Sequence, residues 1–225
     1  MIDAATDLLE TGGREAVTAR AVSAAAGVQT PTIYRRFGDM QGLLDAVADR
    51  GFSTYVLAKV DRPRHDDPVQ DLREGWDLHV EFGLGHPALY ALMYGDPRPG
   101  HRRAAAAQAD TILHHLVHRV AEHGRLRTSV DVAVAMFGAA GIGVVLTLLG
   151  LEPQHRDLAL SSTTREALLT AITVPAPGGG DGREPTPAEH AVALRALLPD
   201  ARDAFTRAEL PLLEEWLERI ASREP

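Results

Sequence analysis

The sequence has 225 residues, contains no cysteine and has few aromatic residues, which make up 5% of the chain. Without cysteine the chain can form neither disulfide bonds nor thiolate ligands for a metal, which fits a reducing cytoplasm. The first residues, Met1-Ile-Asp-Ala-Ala, lack a basic region followed by an apolar run, so the sequence predicts no signal peptide. We therefore expect a cytoplasmic protein.

Signals for β-strands are also scarce. Alternating β-branched residues are hard to find, whereas Ala, Leu, Arg and Glu dominate the composition. This pattern predicts an all-α fold. The length allows one large domain or two modest ones with a substantial core.

Positive charge is in deficit. The chain has 23 Lys and Arg residues against 31 Asp and Glu residues, a net charge of −8. The first fifty residues hold five arginines against seven acidic residues and are not basic either. This balance argues against a protein that coats nucleic acid, but it leaves room for one that contacts DNA through a small patch.

Residues 18–37 read as two short helices joined by a glycine turn. The hydroxyl of Thr18 can cap an Ala-rich helix, which Gly27 ends in the left-handed conformation. Thr30 is predicted to cap the second helix, and Pro31 occupies its first helical position, where a missing N–H costs nothing.

The second helix of this pair has an apolar and a polar side. Ile33 and Phe37 are four residues apart and share the face that packs inward. The outward side and its edge carry hydroxyl, phenol and guanidinium groups: Thr32, Tyr34, Arg35 and Arg36. This arrangement predicts a helix-turn-helix.

The same stretch resembles a known family. The sequence "AAGVQTPTIYRRFGD", preceded by "AATDLLETGGREAVTARAV" and followed by "GLLDAVADRG", is similar to the DNA-binding domain of the tetracycline-repressor (TetR) family. The resemblance covers residues 1 to about 52, and its specific part is an ordered set: Gly27, Val28, Thr32, Ile33, Tyr34, Phe37, Leu43 and Leu44.

The resemblance implies a function and a division into domains. Residues 1–52 would form a helix-turn-helix DNA-binding domain, and residues 53–225 a larger helical domain for ligand binding and dimerisation. A homodimer would bind a palindromic operator on double-stranded DNA as a repressor and leave it when a small-molecule inducer binds. No cofactor, membrane partner or catalytic residue is predicted.

The residues expected to contact DNA lie on or beside the second helix. The arginines suit bidentate contacts to guanine or phosphate, and the polar residues at the helix start could reach base edges. The resemblance assigns phosphate contacts to the positions of Thr18 and Tyr34. The full predicted set is Thr18, Gln29, Thr30, Pro31, Thr32, Tyr34, Arg35 and Arg36.

Two departures from the family pattern concern DNA affinity. The family usually begins with a basic arm and a fuller first helix, whereas this sequence starts inside that helix. Met40 stands where the family tends to have lysine. Because both changes remove phosphate contacts, we expect weaker and less salt-sensitive DNA binding than is usual.

Residues 132–151 form a stretch of about twenty residues without a charge, a length typical of a membrane span. Its glycines, the absence of flanking Trp or Tyr, and the slightly polar hydropathy of the whole chain favour a soluble helix buried on every side. Gly138, Ala139, Gly141 and Gly143 would allow another helix to approach closely. We assign the dimer interface to this helix and to residues 163–174.

Residues 70–140 concentrate aromatic, sulfur-containing and imidazole side chains. Apolar walls with a few polar groups are typical of small-molecule pockets, but a plain helical core fits the periodicity equally well. The family resemblance favours the pocket. The predicted ligand-binding residues are Trp76, His79, Phe82, Tyr90, Met93, Tyr94, His114, His115, Met136 and Phe137.

Enzymatic and metal chemistry find less support. His114 and His118 have the spacing of a two-histidine metal pair, but His115 stands where a zinc protease has its glutamate, and no third ligand is indicated. There is no Gly-rich phosphate loop, serine nucleophile elbow or Cys–His pair. The alternative function is a helical small-molecule-binding protein or enzyme with a degenerate helix-turn-helix, which the acidic amino-terminal region favours.

Capping signals place several other helix boundaries. The first helix is expected to stop at Gly12-Gly13, and a fourth to run from a cap at Asp39 to about Lys59. After a linker at 175–185, Thr186 to Glu189 and Thr206 to Glu209 form capping boxes. The last helix is amphipathic, with Leu210, Leu213, Trp216, Leu217 and Ile220 on one side.

Overall fold

The structure is a computed structural model that describes residues 1–57, 64–95, 104–175 and 185–222. The described residues form eleven α-helices: α1 (Ile2–Ala16), α2 (Ala19–Ala26), α3 (Thr30–Phe37), α4 (Met40–Leu57), α5 (Pro68–Gly85), α6 (Pro87–Tyr94), α7 (Ala104–Glu122), α8 (Val130–Leu149), α9 (Ala159–Ile172), α10 (Pro187–Leu197) and α11 (Glu209–Ala221). Short 3₁₀ helices span Pro153–His155 and Leu198–Ala204. An isolated bridge between Leu126 and Thr173 is the only β-type pairing among these residues, so the predicted all-α fold is confirmed.

The chain divides into two compact units. The first comprises Met1–Pro63, Leu78–Ala109 and Val145–Arg156, and the second comprises Arg64–Asp77, Asp110–Val144 and Asp157–Pro225. Helices α5, α7 and α8 each contribute residues to both units. The amino-terminal helices therefore share a unit with α6 and with the second half of α5.

The amino-terminal helices pack around apolar residues spaced three or four positions apart. α1 contributes Leu9, α2 contributes Val22 and α3 contributes Ile33, all essentially inaccessible to solvent. Leu43 and Val47 on α4 complete the same core. Helices α1 and α4 both contact α6, so this core continues into the rest of the first unit.

The predicted start of α4 is confirmed, whereas the predicted end of α1 differs from the structure by a few residues. The backbone of α1 breaks at Gly13, with φ 67° and ψ −172°, yet the helix resumes and ends at Ala16. Asp39 caps α4 as predicted, because its Oδ1 accepts a hydrogen bond from the amide of Gly42 at 2.8 Å. The described part of α4 ends at Leu57, and Lys59 lies outside the described residues.

Polar contacts hold the helices of the second unit together. Arg73 on α5 pairs with Glu166 on α9 over 3.1 Å, and Arg165 pairs with Asp77. Arg165 and Arg73 lower the pKa of Glu166, although partial desolvation of this carboxylate works in the opposite direction. The carboxylate is thus ionised and bridges two arginines.

The expectation that α8 is buried on every side was wrong. About 33% of its most apolar window is buried, and Val132 and Met136 are 47% and 39% exposed. By length and composition α8 could cross a membrane, but a helix of a soluble protein can meet the same criterion. Within the described chain, α8 thus keeps an uncovered apolar stripe.

The helices α10 and α11 form a hairpin with a small core of its own. Ala191, Leu198 and Leu217 are buried there, and Phe205 and Leu210 pack against them. Both predicted capping boxes form, with hydrogen bonds of 2.8 and 3.3 Å between Thr186 and Glu189 and the same distances between Thr206 and Glu209. The expected stripe of α11 is only partly covered, because Trp216 and Ile220 are exposed.

Candidate functional site

The turn between α2 and α3 has the geometry that the glycine predicted. Gly27 adopts the left-handed conformation, with φ 64° and ψ 33°, and ends α2. The amide of Val28 then donates to the carbonyl of Ser23 at 3.0 Å, which closes the turn. At the other end of α2, Thr18 accepts a hydrogen bond from the amide of Ala21 at 3.1 Å, so its predicted capping role is confirmed.

Helix α3 begins one residue earlier than predicted. Gln29 is its N-cap residue, in an extended conformation and without a side-chain capping bond, and Thr30 is the first helical residue. The prediction of Thr30 as the cap was wrong because its hydroxyl hydrogen-bonds the hydroxyl of Ser23 at 3.0 Å instead. This bond, which sequence reasoning missed, ties the start of α3 to α2.

Helix α3 buries one side and leaves the other in solvent. Ile33 is fully buried and Phe37 half-buried, as predicted, whereas Tyr34 is 45% exposed. Among the DNA-binding residues predicted from sequence, Thr30 and Thr32 are half-buried, and the exposed ones are Thr18, Gln29, Pro31, Tyr34, Arg35 and Arg36. Most of this set is therefore accessible to solvent, and Pro31, Tyr34, Arg35 and Arg36 form the exposed edge of α3.

Arg35 and Arg36 supply the positive charge of this edge. Neither forms an ion pair with an acidic side chain in the part of the chain that the structure describes. The guanidinium of Arg36 lies 5.8 Å from the ring centroid of Phe37, a distance at which a cation interacts with an aromatic face. Both side chains are therefore available to an anionic partner.

Helix α6 contacts α1 and α4 within the first unit. A Cβ atom added at Gly51 on α4 would lie 2.5 Å from Cδ2 of Leu89 on α6, so the two helices approach closely at this point. The Nδ1 atom of His86, at the start of α6, lies 3.3 Å from Oε1 of Glu10 on α1. A displacement of α6 would thus act on both α1 and α4.

Next to these contacts, an aromatic cluster joins α5 and α6. His79 Nε2 and the hydroxyl of Tyr90 are hydrogen-bonded at 2.8 Å, and the rings of Tyr90 and Tyr94 are 4.7 Å apart. Desolvation lowers the pKa of His79 to about 4, so the imidazole is neutral at physiological pH. Desolvation and the neighbouring Tyr94 raise the pKa of Tyr90, which therefore stays protonated. Phe82 belongs to the same cluster, 6.4 Å from Tyr90, and Met93 is buried on α6.

The remaining predicted ligand residues belong to the second unit. Trp76 packs edge-on against Phe137 at 4.9 Å, and its indole nitrogen donates to the hydroxyl of Ser161 at 2.9 Å. Trp76 is only 2% exposed, so it serves the packing of α5, α8 and α9. Ser161 lies in a run of small hydroxyl residues, and no sequence signal distinguished it.

An open depression of about 320 Å³ lies on α7 and α8 in the second unit. Its walls are Asp110, Thr111, His114, His115 and Val134. Two of these residues, His114 and His115, were predicted to bind a ligand, whereas Met136 is exposed on the apolar stripe of α8. The ten predicted residues are therefore divided between the two units, and the single pocket stays a prediction.

The geometry of α2, its left-handed turn and the exposed edge of α3 together define a helix-turn-helix protein. Residues 1–47 match the sequence profile described as "Bacterial regulatory proteins, tetR family". This match covers α1, α2, α3 and the first part of α4. No protein of curated function matches the sequence.

Solved structures share the fold at low sequence identity. A protein of unknown function from Rhodococcus sp. RHA1 is 21% identical, with a TM-score of 0.63 over 77% of this chain and 93% of that one. SmeT, the repressor of a multidrug efflux pump in Stenotrophomonas maltophilia, is 22% identical, with a TM-score of 0.60 over 83% and 95% of the two chains. A TetR variant from Acinetobacter baumannii AYE in complex with minocycline is 20% identical, with a TM-score of 0.53 over 76% and 92%.

Proposed function

We propose that the protein is a transcription regulator that binds a palindromic operator as a homodimer and releases it when a small molecule binds. The observation that carries this proposal is the exposed edge of α3, where Arg35 and Arg36 have no acidic partner among the described residues. Guanidinium groups on a recognition helix can form bidentate hydrogen bonds with guanine or phosphate. Repression is the expected outcome, and the structurally similar SmeT is a repressor.

A dimer is needed because α3 has only eight residues and reads few base pairs. In a two-fold dimer the two recognition helices would lie about 34–36 Å apart, in successive major grooves. The proposed interface uses residues 132–151 and 163–174. Two exposed sets support it: Val132, Ala135, Met136, Ala139 and Gly143 on α8, and Thr163, Ala167, Thr170 and Ala171 on α9.

These two exposed sets suit close helix packing. The residues of α8 recur at intervals of three or four, so they form one stripe along the helix. Most of the side chains are small, which allows a partner helix to approach closely. An apolar stripe of this length on a soluble protein marks an association surface.

The ligand would act through α6 and α4. Its binding residues are proposed to be among those predicted from sequence, and the TetR variant solved with minocycline is consistent with a small-molecule site. A ligand changes operator affinity only by as much as it prefers one conformation over the other. Coupling of about 1–3 kcal/mol, or roughly 5–150-fold in affinity, is typical of such switches. The close approach of Gly51 and Leu89 offers a direct route for this coupling.

The test is DNA binding by a double variant, Arg35→Ala with Arg36→Ala. Fluorescence anisotropy with the DNA next to the protein's own gene should show a loss of at least about 30-fold, because each bidentate arginine contact contributes roughly 1–3 kcal/mol. The matched control is Arg202→Ala with Arg207→Ala, which removes the same charge from two exposed residues outside the motif. If both double variants bind DNA equally well, the recognition-helix assignment is wrong.

The alternative, a ligand-binding protein or enzyme with a degenerate helix-turn-helix, draws support from the acidic balance of the chain. It predicts that the unaltered protein lacks salt-dependent binding to any selected DNA sequence. Selection from a random DNA library, followed by titration at increasing salt, separates the two functions because operator binding falls steeply with salt.

A further inference from the structure

Two histidines on α7 stand side by side. His114 and His118 are one helical turn apart, and their rings are stacked with centroids 6.2 Å apart and an angle of 25° between planes. Histidines at this spacing project from one face of a helix and can chelate a single divalent metal. Both side chains are partly open to solvent, with 45% and 30% of their areas exposed.

Each of these histidines has a carboxylate near one of its ring nitrogens. Oδ1 of Asp131 lies 3.9 Å from Nε2 of His114, and Oε1 of Glu122 lies 3.3 Å from Nδ1 of His118. Glu122 is within hydrogen-bond distance of Nδ1 of His118, where it would orient the ring and leave Nε2 to a metal, which is the usual setting of metal-binding histidines. Asp131 on α8 is beyond hydrogen-bond distance of His114 and contributes only a nearby negative charge.

The number and type of protein ligands at the two histidines indicate which metal ions the site could bind. Across the described ranges, no three His, Asp or Glu side chains already surround one point, so water would complete the coordination. Imidazole ligands select borderline metals such as Ni²⁺, Cu²⁺ and Zn²⁺, whereas Mg²⁺ and Ca²⁺ require mainly oxygen ligands. The chain has no cysteine that could compete for such a metal.

We propose that His114 and His118 form a two-histidine site for a divalent transition metal, with Glu122 orienting the ring of His118. The neighbouring His115 is exposed and lies outside the stacked pair. The site is separate from the exposed edge of α3, so the Ni²⁺ titration and the DNA-binding test can fail independently of each other.

The test is calorimetric titration of the untagged full chain with Ni²⁺, with Mg²⁺ as the comparison ion. The unaltered protein should bind Ni²⁺ saturably at this site and give no signal with Mg²⁺. His114→Ala and His118→Ala should each weaken Ni²⁺ binding at least about tenfold. Glu122→Gln should weaken it by a smaller factor, because the ring of His118 loses the carboxylate that orients it. The matched control His115→Ala should change the affinity less than twofold.

The outcomes separate this site from nonspecific binding by the other histidines. Equal losses in His115→Ala and His114→Ala, or no loss in His118→Ala, would overturn the assignment. So would the absence of saturable Ni²⁺ binding by the unaltered protein. Circular dichroism melting of each variant checks that the helices are intact, because all three histidines are at least partly exposed and their loss should leave folding unchanged.

Discussion

The indole nitrogen of Trp76 donates a hydrogen bond to the hydroxyl of Ser161 at 2.9 Å, and both residues are buried. Removal of the hydroxyl by Ser161→Ala would leave the indole N–H without its partner in the core. We expect a loss of about 1–3 kcal/mol in the free energy of unfolding, because an unsatisfied buried donor keeps its full desolvation cost. Urea denaturation followed by tryptophan fluorescence measures this loss. Ser162→Ala, at the exposed neighbouring position, serves as the control, and equal losses in both variants would contradict the role of the bond.

The buried His79 predicts a pH dependence of stability. Its pKa is lowered from 6.5 to about 4 in the folded protein, so below pH 6.5 the unfolded chain binds more protons than the folded one. Stability should therefore fall as the pH drops from about 6.5 to 4, by up to about 3 kcal/mol from this residue alone. Urea unfolding at a series of pH values measures the slope. His79→Gln should flatten the slope in this window, and His190→Gln, at an exposed position, should leave it unchanged.

The close approach of Gly51 and Leu89 predicts a specific steric effect. Alanine is normally better than glycine in a helix by about 1 kcal/mol, but a Cβ at position 51 would lie 2.5 Å from Cδ2 of Leu89, which is buried. We expect Gly51→Ala to lower the free energy of unfolding by about 1–2 kcal/mol, an overpacking cost. Gly85→Ala, where a Cβ meets no atom within 4 Å, is the matched control and should show no such loss.

A second variant tests whether Leu89 causes this effect. In the background of Leu89→Ala, the added Cβ has space, so Gly51→Ala should no longer be destabilising. Additive losses in the double variant would mean that the two residues do not interact in this way.

The apolar stripe of α8 predicts the effect of a charge at the proposed dimer interface. Met136→Glu should weaken self-association at least about 100-fold, because a carboxylate buried in a helix interface loses its hydration without gaining a partner. Sedimentation equilibrium measures the change. Leu212→Glu, which places the same charge on an exposed leucine of α11, is the control. A dimer that survives Met136→Glu unchanged would exclude α8 as the interface.

The amino-terminal part of the fold could be predicted from sequence because its signals are local. Gly27 adopts the left-handed conformation that ends α2, Asp39 caps α4, and Ile33 shares a face of α3 with Phe37. Thr30 shows the limit of such reasoning. Its hydroxyl could cap its own helix or hydrogen-bond the hydroxyl of Ser23, seven residues earlier, and the structure has the second arrangement. That choice depends on how α2 and α3 pack and has no sequence signature.

The ligand-binding residues were harder to predict for the same reason. Aromatic and imidazole residues at helical spacing serve equally well in a core or in a cavity, and Trp76 is buried with its indole nitrogen donating a hydrogen bond to Ser161. Periodicity could not indicate which face of α8 remains exposed, because this helix is apolar on all sides. Contacts between residues far apart in sequence decide both questions.

The hairpin of α10 and α11 predicts how a chain shortened at its carboxyl terminus will behave on expression. Val192 and Ala196 on α10 are buried, yet they lie outside the hairpin's own small core, so this side of α10 shields another surface. A truncation after residue 175 would expose the apolar surface that α10 covers. We expect such a chain to aggregate into inclusion bodies on expression. Removal of the carboxyl-terminal hairpin should therefore not improve the protein's solubility for crystallisation.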